Sequence, residues 1–159
     1  MTNQEIYDLL KRQFNDDIIE IITPENGEGH ITVNHTNILD IMQFCRDYDS
    51  LDFDYLVMLS GMDAGAEHLC VVYHLYSVNL KHNIVIKTFI PRANPTLHTV
   101  ERIWRAADWH EREAYDMFGI VFEGHHNLIR ILCPYDWEGY PLRKDYVTPQ
   151  EYHGMKIPY

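Results

Sequence analysis

FDYLVMLS at residues 53–60, LCVVYHLYS at 69–77 and NIVIKTFI at 83–90 are three apolar runs rich in β-branched and aromatic residues. Runs of this kind bounded by polar turns read as strands. MDAGAE at 62–67 and VNLKHN at 78–83 supply the turns, so the three form an antiparallel set. In the first of them, alternation assigns Phe53, Tyr55, Val57 and Leu59 to one face. Upstream, residues 3–14 carry Ile6, Leu9, Leu10 and Phe14 at helical spacing. IIEII at 18–22 and HITVN at 30–34 flank ENGEG at 25–29, the pattern of a hairpin. Thr36 is placed to cap a helix over 37–48 that turns Ile38, Ile41, Met42 and Cys45 inward. Downstream, Asn94-Pro95 is placed to open a helical region with Leu97, Val100, Trp104 and Ala107 on one face. A second helix over 109–118 ends at Gly119, a natural left-handed cap. The expected fold is α+β: a mostly antiparallel mixed sheet with helices packed on one side.

Beyond Phe122 the periodicity stops. Residues 1–122 therefore read as a globular body, and 123–159 as an extended C-terminal segment holding four of the seven prolines. With 159 residues the chain is one domain in size, long enough for a core without disulfides. The formal charge of −11 repels phosphate backbones and excludes nucleic acid as a partner class. Cys45, Cys70 and Cys133 are far apart and form no CxxC, so they are expected to be reduced thiols and not cluster ligands. No apolar run approaches the ~20 residues of a membrane-spanning helix, and the N-terminus lacks a signal-peptide pattern. A soluble, cytoplasmic chain is the expectation.

Three stretches could carry chemistry. In WHEREAYDMFGI at 109–120, with Asp108 before it, Asp108, Arg112 and Asp116 are spaced i, i+4, i+8, which puts one arginine between two carboxylates. Glu113 points elsewhere. HERE resembles half of a zincin motif, but the second histidine would stand where Ala114 is. In FEGHHNLIRIL at 122–132, His125 and His126 follow a glycine turn, and LIRIL reads as a short strand. Neighbours on an extended chain point apart, so at most one of the pair joins a given metal site, and no metal site is expected. In PYDWEGYPLRKDY at 134–146, Asp136 and Glu138 could serve as a glycosidase acid/base pair. A docking segment fits this stretch better. Prolines restrict it before binding, Trp137 and Tyr140 are anchors, and Arg143 and Lys144 supply charge.

ADWHEREAYDMFGIVFEGHHNLIRIL followed by PYDWEGYPLRKDY resembles the 30-kDa-subunit family of the proton-pumping NADH:quinone oxidoreductase, respiratory complex I. The resemblance implies a non-catalytic scaffold subunit of the peripheral arm, on the cytoplasmic face of the inner membrane. Its association with the membrane would be indirect, through the complex. FMN, iron–sulfur clusters and quinone would reside in partner subunits. The partners implied are the large quinone-site subunit, the cluster-bearing small subunit and other peripheral-arm subunits. Carried over by motif, Glu111, Arg112, Glu113 and Asp116 form a charged helix. Gly119, Gly124, His125 and Arg130 form the turn and strand after it. Asp136, Trp137, Gly139, Pro141, Leu142, Arg143, Lys144, Asp145 and Tyr146 form a docking strap. All of these are expected to organise a subunit interface. The sequence departs from the family pattern at His126, where a proline is usual, and at Ile129, where an arginine is usual. The alternatives are the equivalent subunit of a membrane-bound hydrogenase or ferredoxin-linked dehydrogenase, or a small hydrolase built on His125, His126, Asp136 and Glu138.

Overall fold

The computed structural model describes residues 1–25 and 28–157. The first helix, α1 (Asn3–Phe14), begins with a reciprocal cap in which Thr2 Oγ1 accepts from Glu5 N and Glu5 Oε2 accepts from Thr2 N. This pairing satisfies two backbone donors that a helix start leaves open. Ile6 and Leu10 go into the core. The strands β1 (Ile18–Ile22) and β2 (His30–Asn34) pair antiparallel as expected. The middle of the turn between them, residues 26 and 27, lies outside the described residues.

The second helix, α2 (Ile38–Asp47), buries the four expected side chains, Ile38, Ile41, Met42 and Cys45. Its entry differs from expectation. Residues His35–Asn37 form a 3₁₀ turn, and Asn34 Oδ1, not Thr36, accepts the capping bond, from Thr36 N. The next three strands are β3 (Tyr55–Asp63), β4 (His68–Ser77) and β5 (His82–Pro91). They are antiparallel to one another, and β2 joins β5 in parallel, giving the order β1-β2-β5-β4-β3.

The phase of β3 corrects the sequence reading. Leu56 and Leu59 are buried while Tyr55 and Val57 are exposed, and Phe53 is buried just ahead of the strand. A bulge between Leu56 and Met58 adds a residue and shifts the alternation by one. On β4 and β5 the side chains of Leu69, Val71, Tyr73 and Leu75 meet those of Ile84, Ile86 and Ile90 in one core with Ile6, Leu10, Met42 and Met117. The opposite face leaves Val72, His74, Tyr76 and Phe89 partly or fully exposed.

A second correction concerns 94–106. Leu97, Val100, Trp104 and Ala107 are all buried, as expected, but they do not share one helix: Leu97 is on a strand, Val100 and Trp104 lie in irregular chain and turns, and Ala107 opens the next helix. Thr96–His98 is a short strand, β6, parallel to β7 (Val121–Glu123), and Thr99 N extends the pairing to Glu123 O. Thr96, Thr99 and Val100 are β-branched, and a long-range partner outweighs the helix-opening proline. The third helix, α3 (Ala107–Phe118), starts two residues before the expected point and ends at Gly119, whose φ of 72° is left-handed. It packs on β3 at Gly61, where a Cβ would stand 2.6 Å from the Phe118 ring. LIRIL at 128–132 is irregular and not a strand. Two two-residue strands, β8 (Glu151–Tyr152) and β9 (Met155–Lys156), pair near the C-terminal end.

Candidate functional site

Asp116 organises the segment after β7. It lies on α3 with its side chain fully buried. Oδ1 accepts from Arg130 Nη1 at 2.7 Å. Oδ2 accepts from the backbone N–H groups of Ile131, Leu132 and Cys133 at 3.1, 2.7 and 2.8 Å. Burial pushes this carboxyl up, but the backbone and arginine donors outweigh it and hold it below its ordinary value. This explains why 128–132 does not continue as a strand: the N–H groups of Ile131 and Leu132 turn onto one carboxylate instead of a ladder. The expected brace between Asp108, Arg112 and Asp116 does not form. Arg112 donates to the carbonyls of Ile129 and Arg130, and the cation beside Asp116 is Arg130.

The rest of the strap is clipped to the body at several points. Arg130 Nη2 donates to Gly139 O. Arg143 Nε donates to Phe118 O at 2.6 Å, and Leu142 N to Met117 O. The guanidinium groups of Arg130 and Arg143 lie 5.4 and 4.7 Å from the centre of the Tyr140 ring. Tyr140 covers Gly119, where a Cβ would meet the ring at 2.5 Å. Gly139 likewise approaches Tyr146, whose hydroxyl accepts from Trp137 Nε1 at 3.0 Å. At the far end of the sheet, Asp63 on β3 accepts from Lys144 N at 2.7 Å and from Arg92, which also reaches Asp145. The Lys144 amide is the chief cause holding the Asp63 carboxyl far below its usual range, and the Arg92 bond adds to it. Asp136 accepts from Tyr152 and His153, both at 2.8 Å, so its oxygens are engaged within the tail.

The strap thus joins Arg130, Gly139, Trp137, Tyr140, Arg143, Lys144, Asp145 and Tyr146 to one another or to the body. Asp63 and Arg92 complete it and were not foreseen. Asp63 ends β3 and Arg92 follows β5, and no local spacing marks them. Pro141 is half-buried, and Glu113, Leu142 and Gly124 are exposed. The strap leaves apolar side chains uncovered: Ile129, Leu132, Leu142, Tyr135 at 93% exposure and Val147 at 84%.

A second cluster lies at the start of α3. Glu111 is fully buried and accepts from Thr99 Oγ1 and from Val100 N at 2.8 Å. Burial pushes its carboxyl up to about 8 against those two bonds, and the nearby Glu101 and Asp108 charges add to the rise. His125 is buried beside it, with Nε2 lying 3.6 Å from Glu101 Oε2, 3.3 Å from Asp108 Oδ1 and 3.9 Å from Glu111 Oε2. His126 Nδ1 stands 2.6 Å from Glu101 Oε2, and its ring stacks on His125 with centroids 5.2 Å apart. The expectation that adjacent histidines diverge is therefore corrected. Gly124, at φ 84°, turns the chain so that both rings face Glu101. Among the described residues, Glu101, Asp108, His125 and His126 place four metal-type donor atoms within 4.8 Å of one another.

The family of the respiratory-chain NADH dehydrogenase 30-kDa subunit matches residues 31–152, which include β2 to β7, α2, α3 and the strap. The chain belongs to that family. An NADH-quinone oxidoreductase subunit of Chlorobium phaeobacteroides is 43% identical over 155 residues, 96% of this chain and 93% of that protein. Its counterpart in Chloroherpeton thalassium is 53% identical over 117 residues, 73% of this chain and 49% of that longer protein. Among solved structures, the trypsin-resistant fragment (1–134) of Nqo5 superposes with a TM-score of 0.68 at 26% identity, covering 80% of this chain and all of the fragment. A chain of the membrane-bound sulfane sulfur reductase, an archaeal respiratory membrane complex, superposes with a TM-score of 0.74 at 26% identity, covering 91% and 85%. Family membership disfavours the hydrolase alternative. Among the described residues, no helix is long and apolar enough to cross a membrane.

Proposed function

We propose that this chain is a non-catalytic scaffold subunit of the peripheral arm of an NADH:quinone oxidoreductase. It would support electron transfer from NADH through iron–sulfur clusters to quinone, coupled to proton translocation. In this reading FMN, the clusters and quinone are held by partner subunits. The chain docks beside the large quinone-site subunit and the cluster-bearing small subunit, at the cytoplasmic face of the membrane. The observation that carries the proposal is the strap. Arg143, the Lys144 amide, Leu142 N and Asp145 are bonded to the chain's own body, while Leu132, Tyr135, Leu142 and Val147 leave apolar side chains exposed along the same segment. Uncovered apolar side chains on an ordered polar scaffold are what an interface needs.

The test is purification of a tagged chain from detergent-solubilised host membranes, with native gels and mass spectrometry. Recovery in a large assembly with cluster-bearing and quinone-site subunits is expected. Leu132→Asp with Tyr135→Asp should cut that recovery without moving the melting temperature of the isolated chain. Recovery as a small species without such partners, or full assembly of the double variant, overturns the proposal. The electron donor is set by other chains, so the co-purified subunits also distinguish the NADH-linked machine from a hydrogenase or ferredoxin-linked relative.

A further inference from the structure

We propose that Glu101, Asp108, His125 and His126 form a binding site for one divalent transition-metal ion, with Zn²⁺ the best-fitting ion. The donors are Glu101 Oε2, Asp108 Oδ1, His125 Nε2 and His126 Nδ1, all within 4.8 Å of one another. Zinc bound to nitrogen and oxygen at about 2.0–2.2 Å places its tetrahedral ligands roughly 3.3–3.6 Å apart. The contacts of His125 Nε2 with Glu101 and Asp108, at 3.6 and 3.3 Å, already match that edge. The 2.6 Å contact of His126 with Glu101 would open by less than an ångström, and the His126 side chain is exposed and free to do so. Two imidazoles and two carboxylates suit zinc and its neighbours in the first transition row, and two carboxylate charges balance the dication.

A second observation points to a ligand. Asp108 Oδ1 is buried and accepts no hydrogen bond, although it faces His125. An unpaired buried acceptor carries a desolvation cost that a bound cation would offset. The surroundings are those of a supported site. Glu101 Oε1 is held by His126 N at 2.9 Å, and Glu111 stands behind His125.

The metal-free hydrogen bonds show what loading must change. Asn127 N donates to His125 Nδ1 at 3.0 Å, so neutral His125 carries its proton on Nε2, directed at Asp108 O. His126 carries its proton on Nδ1, directed at Glu101. The ion takes the place of both N–H groups, and each ring moves its proton to its other nitrogen. On His126 that nitrogen belongs to an exposed ring. On His125 it requires the Asn127 amide to turn away, which its exposed turn position allows. The Asn127 amide is therefore a reporter of loading.

The 159-residue chain is stripped with chelator and dialysed against Zn²⁺ alone, with bound metal counted by mass spectrometry and affinity measured by calorimetry. One ion per chain is expected in the wild type and in His153→Ala, which removes the separate surface pair of His153 and Asp136. His126→Ala and Glu101→Gln should bind at least tenfold more weakly. Zinc should raise the wild-type melting temperature but not theirs, and should shift the Asn127 amide resonance. His126→Ala alters an exposed side chain, so it decides the matter if Glu101→Gln does not fold. Well under one ion per chain in the wild type, or undiminished affinity in His126→Ala, overturns the proposal.

Discussion

Replacing Asp116 by Asn tests whether one buried carboxylate holds the strap. The variant keeps the size of the side chain and one carbonyl oxygen. If that oxygen stays opposite the N–H groups of Ile131, Leu132 and Cys133, the new NH₂ faces Arg130 Nη1, donor against donor, at a position now 2.7 Å apart. Breaking a buried ion pair from one side costs about 3–5 kcal/mol. Arg130 retains some contact with solvent, so about 3 kcal/mol is the working figure. For a chain of this size that is a drop in melting temperature of roughly 6–12 °C. Thermal unfolding of the isolated chain at neutral pH reads it directly. Arg130→Ala and the double variant complete a cycle, with an expected coupling of about 1–3 kcal/mol. The acid side gives a second readout. Asp116 is held below its ordinary value of 3.8, so its stabilisation is full above that pH and is lost as pH falls below it. Asp116→Asn should flatten that acid limb. A variant melting within about 2 °C of wild type, or a coupling near zero, would refute the assignment of Asp116 as the hub.

Asp63→Ala should expose the Lys144 amide, and hydrogen exchange there should speed up at least tenfold while the centre of β4 stays protected; unchanged exchange would mean the strap is held elsewhere. Lowering the pH of the wild type should erode the Asp63 contribution progressively from 3.8 downward, and should release the same amide only well below 3.8, where the depressed folded carboxyl itself protonates. Gly119→Ala combines a left-handed backbone with a Cβ 2.5 Å from Tyr140, so a loss of about 1–3 kcal/mol is expected, together with a change in Trp137 fluorescence as the strap lifts. Glu111 has the opposite sign. Its folded value of about 8 exceeds the ordinary 4.5, so in chelator-treated protein stability should fall as pH rises between those values. Glu111→Gln should remove that slope, and a slope that persists would assign it to another group.

The sheet was legible because β4 and β5 are apolar runs rich in β-branched and aromatic residues and their turns are polar. The face of β3 was not, since a single bulge between Leu56 and Met58 inverts the pattern and leaves no compositional mark. Residues 97–107 illustrate a subtler limit. Their burial was readable from apolar spacing, but the spacing of Leu97, Val100 and Trp104 serves a strand and the turns after it as well as it serves a helix, which begins only at Ala107. The strap's residues were legible from their motif, whereas its partners Asp63 and Arg92 became neighbours only through the pairing of β3, β4 and β5. The histidine pair failed for a local reason. Alternation holds on a strand, and Gly124 ends β7 one residue before it.

These clips bear on how an interface can be assembled from so short a segment. Ordering a backbone residue costs about 1–2 kcal/mol, so a strap that folded only on docking would have to recover that cost from its partner for every residue fixed. Here Asp116, Asp63, Arg130 and Arg143 meet the cost within the chain, before any partner is present. In the proposed reading, the exposed apolar side chains of Leu132, Tyr135 and Val147 then contribute to docking in full. Two classes of variant should therefore behave differently. Loosening a clip, as in Asp116→Asn, should lower both the stability of the isolated chain and its recovery in the assembly. Removing an exposed apolar side chain, as in Tyr135→Asp, should lower recovery alone. Equal effects of both classes on the isolated chain would mean that the exposed residues belong to its own core, and that the strap is not a preformed docking surface.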